Sequence, residues 1–301
     1  MESIKKLAFG ALIGSALILA GCDDSTDRQS VPSKVQVSKD GKSEEGGECA
    51  YLSPWGFPKY NPPQKGNFFL CHEGYALEFN GRSRTSMWSV ERLKGTDLQG
   101  SIPVRDDFRP DPRLADGATV NDYANQPFAK GQLASPYNFV NNKKKMSFSY
   151  YLSNVVPQEP TNKAGIWTLL ENNTRQWSKE FGEVYIMTGP IYYNGRPLGY
   201  IGEGGEVRLM NTEKGGQRGL DSVDRGRVAI PTHLYKIVYA PSINQAIAFV
   251  IPNIALNPSE LPKYVVTVST VEYYTGLTFL PQLSNSATIK NQIPLWNMRL
   301  Q

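Results

Sequence analysis

The stretch YYLSNVVPQEPTNKAGIWTLLENNTR, residues 150–175, decides the fold. From Asn162 to about Phe181 the large apolar residues Ile166, Trp167, Leu169, Leu170, Trp177 and Phe181 recur at a spacing that places them on one helical face. A second apolar run, Glu183 to Thr188, follows at once and reads as a strand ended by Gly189-Pro190. Further along, 234–239, 246–251 and 264–268 read as strands, and 268–274 as a late helix capped by Gly276. On the other side, the aromatic alternation of 68–79 predicts one strand, Gly81-Arg82 a turn, and 86–93 the returning strand. Residues 101–117, with three prolines and many charges, predict a loop, as does the glycine-rich, mixed-charge segment 202–227. Strand runs interleaved with one or two long helices define an α+β class, a mainly antiparallel sheet flanked by helices.

The ends of the chain carry a different kind of information. Lys5 and Lys6 precede an apolar run from Leu7 to Ala20, which is too short and too rich in small residues for a stable membrane span. It ends in Leu19-Ala20-Gly21-Cys22, which resembles the lipobox of bacterial lipoproteins. That resemblance implies a signal peptide over 1–21, acylation of Cys22, and a lipoprotein held on a cell membrane facing the periplasm. Asp23 resembles an inner-membrane retention signal, with the outer membrane as the alternative. Residues 22–48 are almost free of large apolar side chains and predict a flexible tether. The folded domain is expected over 49–301.

The whole chain carries 32 basic and 28 acidic residues, and its folded part is the more basic portion, at about +6. That balance suits an anionic partner without demanding one. With Cys22 acylated, Cys49 and Cys71 remain. In an exported protein an even pair reads as a disulfide, here stapling the start of the domain to its first strand, rather than as free thiols or a metal site.

Seven short motifs occur in order: CHEGYALEFNGRSRTSMWSVERL (71–93), FRPDPRL (108–114), KGQLASP (130–136), the 150–175 stretch, VYIMTGPIY (184–192), IPTHLYKIV (230–238) and TVEYYTGLTFL (270–280). Together they resemble the DNA/RNA non-specific endonucleases of the ββα-metal class over about residues 68–281. The resemblance implies two strands and a helix around one divalent cation, Mg²⁺. It also implies a histidine base that activates water, an asparagine ligand on the helix, an acidic residue that orients the metal's waters, and an arginine on the phosphate.

Carried over residue by residue, the family's Asp-Arg-Gly-His falls on Ala129-Lys130-Gly131-Gln132, so Gln132 stands at the position of the general base. Asn154 opens the Asn-x-x-Pro-Gln segment. The metal-ligand asparagine, four residues before Trp167, falls on Lys163, with Asn162 one residue early. Glu171 and Arg175 match the acidic residue and the arginine one helical turn apart, or else form a surface ion pair, and Arg105 matches the arginine expected before the 108–114 loop. Glutamine cannot accept a proton, and loss of a positioned base costs roughly 10²–10⁴ in rate. An ammonium about 4 Å from a cation costs about 4 kcal/mol, roughly doubled for a divalent ion. Metal-dependent phosphodiester hydrolysis is therefore expected to be impaired.

The chain has two histidines: His72 in the first strand, and His233, expected in a structural hydrogen bond. Asp224-Arg225-Gly226-Arg227 imitates the lost motif but lacks its histidine and reads as a turn. Lys143-Lys144-Lys145 reads as a solvated turn, with contact to a nucleic-acid backbone as its functional alternative, and Trp88, Trp167 and Trp177 read as core. Three functions follow: a membrane-tethered nuclease, a pseudonuclease that captures nucleic acid or acts as an exclusion factor, and a lipoprotein that binds a protein partner.

Overall fold

His233–Ala240, HLYKIVYA, is apolar at nearly every position, as a strand covered on both faces requires. It lies beside the central strand, third from one edge, of a seven-stranded antiparallel sheet in the computed structural model, which describes residues 47–202, 208–209 (backbone only) and 227–300. From edge to edge the strands are Val265–Val266, Gln245–Pro252, His233–Ala240, Glu183–Ile191, Thr85–Lys94, Tyr75–Asn80 and Asn67–Cys71. Even-numbered residues of 184–188 and 234–238 face one side and odd-numbered ones the other. Trp88, Val90, Tyr185, Met187, Tyr235 and Ile237 pack under the N-terminal segment and the helix Val268–Thr275. Leu93, Val184, Ile186, Leu234 and Val238 pack under Ile166, Leu170 and Trp177. The three tryptophans expected in the core, Trp88, Trp167 and Trp177, are buried.

The site layer sits on that second face. Ala129–Gln132 pairs antiparallel with Val155–Gln158, Gln132 opposite Val155, and the chain then enters the helix. A β-carbon at Gly131 would meet Gln158 Oε1 at 2.5 Å and Val156 O at 3.1 Å, so the close approach of the two strands requires glycine. The helix opens at Pro160–Asn162, where Glu159 accepts from the Asn162 backbone N–H at 2.6 Å. It passes through a π turn, Lys163–Trp167, and continues as an α-helix over Thr168–Phe181. The expected two-strands-and-helix unit is therefore present.

Several expectations are corrected. Residues 68–79 are two strands, Asn67–Cys71 and Tyr75–Asn80, because His72-Glu73-Gly74 turns the chain and His72 N–H bonds Tyr75 O at 2.8 Å. The strand from 183 does not stop at Gly189-Pro190 but runs to Ile191; its ladder with 85–94 ends at Ser89↔Thr188, before the proline. Lys143-Lys144-Lys145 is not a turn but the start of the helix Lys143–Phe148, capped by the Asn142 side chain. The strand expected over 264–268 is reduced to Val265–Val266. Gly276 does close the late helix, at φ 70°. A disulfide joins Cys49 to Cys71. Cys22, Asp23, most of the tether and Asp224 to Gly226 lie outside the described residues.

Candidate functional site

Asn154 is fully buried. Its Oδ1 accepts from Ala134 N–H at 2.9 Å, and its Nδ2 donates to the Ala134 and Ser149 carbonyls, each at 2.9 Å. Its amide is therefore spent on clamping the 133–135 backbone, not offered to a metal. Gln132 Nε2 donates to the same Ser149 carbonyl at 3.0 Å.

Asn162 is also fully buried. Its Nδ2 donates to the Pro252 and Ile254 carbonyls at 2.9 Å, and its Oδ1 accepts from Gln158 Nε2 at 2.9 Å. It locks the helix entry to the end of the strand Gln245–Pro252, and its oxygen is buried against Gln158. The residue facing the site from this turn is Lys163, partly buried. Burial pushes its ammonium pKa down and Lys130 adds to this, while Glu171 and Asp106 pull it up. Lys163 therefore shares the electrostatic field of one further cation, Lys130, and two carboxylates, Glu171 and Asp106. Lys130 Nζ also lies 5.0 Å from the Phe108 ring centre.

The surface ion pair weighed as the alternative for Glu171 and Arg175 is not formed; each has its own partners. Glu171 accepts from Ser135 Oγ at 3.1 Å. Arg175 donates to Asn138 Oδ1 at 3.2 Å and Asn172 Oδ1 at 2.6 Å, with its guanidinium 5.5 Å from the Tyr137 ring centre. Arg105 is exposed on the loop beside Asp106. Beneath the helix, Lys236 and Glu91 are each 2% exposed. Lys236 Nζ donates to Thr188 Oγ1 at 2.8 Å and sits 5.0 Å from the Trp167 ring centre, and Asn138 Nδ2 donates to Glu91 Oε2 at 3.0 Å. Burial pushes Glu91 up to about 7, against the pull of Lys236, and pushes Lys236 down.

Both histidines have partners of their own. His72 is buried against Tyr75, with Arg113 donating to its ring and Asp111 bound to Arg113 at 2.8 Å. Burial, reinforced by Arg113, holds it neutral, with a pKa of about 3. His233 rests 3.0 Å from Thr232 Oγ1 at a strand start. Glu91, Asn138, Ser135 and Lys236 were not anticipated from the sequence; the available signal was a charged residue at an inward position of an apolar strand, in Trp88-Ser89-Val90-Glu91 and Leu234-Tyr235-Lys236.

A hairpin feeding a helix, with Gln132, Lys163, Glu171 and Arg175 turned to one side of a large antiparallel sheet, defines a ββα nuclease fold. The family model for DNA/RNA non-specific endonucleases matches residues 56–286, and the chain belongs to that family. It is 27% identical over 264 residues to human mitochondrial nuclease EXOG, covering 83% of this chain and 66% of the relative. With nuclease C1 of Cunninghamella echinulata var. echinulata it is 30% identical over 243 residues, 76% of this chain and 88% of the relative. With human mitochondrial endonuclease G it is 30% identical over 220 residues, 70% and 69% of the two chains. Against the frog and human EXOG proteins the chain spans 63% and 66% of the relative's length. A crystal structure of an EndoG/EndoGI complex, concerned with the mechanism of EndoG inhibition, superposes with a TM-score of 0.63 at 23% identity, covering 78% of this chain and 92% of that one.

Nucleases of this family are metal-dependent. The donors here do not fit a divalent cation: among the described residues no group of three or more His, Cys, Asp or Glu gathers that could hold a metal ion, and the Asn154 and Asn162 amides are committed to backbone and to Gln158. Lys163, Lys130 and Arg175 offer N–H donors to phosphate oxygens.

Proposed function

We propose that this protein is an endonuclease-like domain that binds the phosphate backbone of DNA or RNA with its hydrolytic chemistry impaired. What supports this reading is Lys163, which the alignment sets at the family's ligand position and whose ammonium feels the charges of Glu171, Asp106 and Lys130. A fixed monovalent cation there neutralises a phosphate but activates no water, and Gln132, bonded to Ser149, has no proton-accepting nitrogen. Lys130 and Arg175 add donors, with Arg105 on the adjoining loop.

Plasmid and RNA cleavage by the purified protein, in Mg²⁺ or Mn²⁺ against EDTA, tests the reading beside the Gln132→His, Lys163→Asn double variant. A silent native protein and a cutting double variant support it. Metal-dependent cleavage by the native protein overturns the impairment. Nucleic-acid binding that does not weaken with added salt argues for a protein partner instead.

The placement is also a proposal: a lipoprotein anchored through Cys22, facing the periplasm from the inner membrane, a reading carried by the Leu-Ala-Gly-Cys-Asp sequence at 19–23. Metabolic labelling with a fatty acid is expected in the native chain and absent in Cys22→Ser. Sedimentation with the outer membrane sets aside the inner-membrane part.

A further inference from the structure

We propose that Glu91 is a positioning residue for the phosphate-binding arginine, holding Arg175 in place through the amide of Asn138. This rests on the phosphate-binding reading of the site. Asn138 lies in the turn Pro136–Phe139 and is 4% exposed. Its Nδ2 donates to Glu91 Oε2 at 3.0 Å and its Oδ1 accepts from Arg175 Nη1 at 3.2 Å. A carboxylate only accepts and a guanidinium only donates, so a single orientation of the amide satisfies both neighbours. Tyr137, the preceding residue of the same turn, lies under the guanidinium, and Asn172 holds its other arm. The remaining N–H groups of the fork are left for phosphate oxygens.

Glu91 can do this because of where it is buried. Its strand places it two residues from Ser89 on the site-facing side of the sheet, and Ser89 pairs with Thr188, which pairs in turn with Lys236. The charged groups acting on it are Lys236, two strands away in the sheet, and Glu171 and Arg175 from the helix. Glu91 Oε1 has no hydrogen-bond partner in the structure, so the Asn138 amide is the contact through which this carboxylate acts. Burial raises its pKa to about 7. Once protonated, it can donate to the Asn138 carbonyl, which favours the reversed amide and takes from Arg175 its acceptor.

The test is binding of a fluorescein-labelled DNA duplex, at fixed salt and from pH 5.5 to 8.5, by the native protein, Glu91→Gln, Arg175→Ala and the double variant Glu91→Gln, Asn138→Asp. Native affinity is expected to rise roughly tenfold as pH passes through about 7, against the general weakening of nucleic-acid binding as a protein loses positive charge. Glu91→Gln is expected to bind roughly tenfold more weakly at pH 8, with no step. The double variant keeps the net charge of the native protein. Its new carboxylate accepts from Arg175 in either orientation, so affinity is expected to return while the step stays absent. If Glu91→Gln matches the native protein while Arg175→Ala weakens binding, the positioning role is overturned and the phosphate site stands. Failure of the double variant to recover affinity also overturns the role. If Arg175→Ala binds like the native protein, the phosphate-site reading itself fails.

Discussion

Replacing Glu91 by glutamine is expected to stabilise the fold at pH 8 and to change it little at pH 5. In the unfolded chain this carboxyl titrates at its ordinary value, 4.5, and burial in the native sheet raises it to about 7. Between those values the native state holds a proton that the unfolded state has released, so the native protein loses stability as pH rises and the loss is complete above about 7. Two and a half pKa units correspond to about 3 kcal/mol. Glutamine removes this loss, and its amide pairs with Asn138 as acceptor or as donor, so the contact survives without fixing one orientation of the Asn138 amide. The figure is a ceiling, because Lys236 loses one of the two carboxylates that act on it and keeps only Glu171. Urea unfolding followed by tryptophan fluorescence at pH 5, 6, 7 and 8 measures the difference between the two proteins. His72 adds a pH dependence of its own, but equally to both, and it cancels. A difference that is the same at pH 5 and pH 8, or a variant less stable than the native protein at pH 8, would refute the assignment of a buried, strained carboxylate.

His72 predicts the opposite slope: its native pKa of about 3 lies below the ordinary 6.5, so stability is lost as pH falls below 6.5, and His72→Gln should move the acid-unfolding midpoint to lower pH by circular dichroism. Reduction of the Cys49–Cys71 bridge, which spans 22 residues, should cost about 3 kcal/mol and lower the melting temperature measured with and without dithiothreitol. Trp177→Ala, at a fully buried position between helix and sheet, should lose about 3–5 kcal/mol in the same assay. Lys163→Ala should weaken duplex binding uniformly across sequences and reduce the slope of log affinity against log salt by about 1.

Much of the fold was legible because the motifs mark where elements meet. The resemblance implied two strands beside a helix without giving the bounds of Val155–Gln158, whereas Thr168–Phe181 carried its own helical spacing. The hairpin at 67–80 was hidden because aromatic alternation continues straight across its turn, and only Gly74, pressed against Phe139, marks the reversal. The strand through Gly189-Pro190 was hidden because proline is excluded only where a ladder bond is needed, and pairing is a tertiary fact. At the site, alignment identified Gln132 and Lys163, but it could not show that Asn162 is tied to Pro252 and Ile254, ninety or more residues away in sequence. The Glu91–Asn138–Arg175 chain joins three separate segments, and no local pattern in any one of them announces it.

The π turn at Lys163–Trp167 makes the helix a two-part object. One wider loop of backbone absorbs a single residue, about 100° of winding, between a start pinned to the end of the strand Gln245–Pro252 by Asn162 and a body whose Glu171 and Arg175 face the site. The angular phase of the entry is thereby uncoupled from that of the body. The side chain at position 163 can change without rotating Glu171 or Arg175.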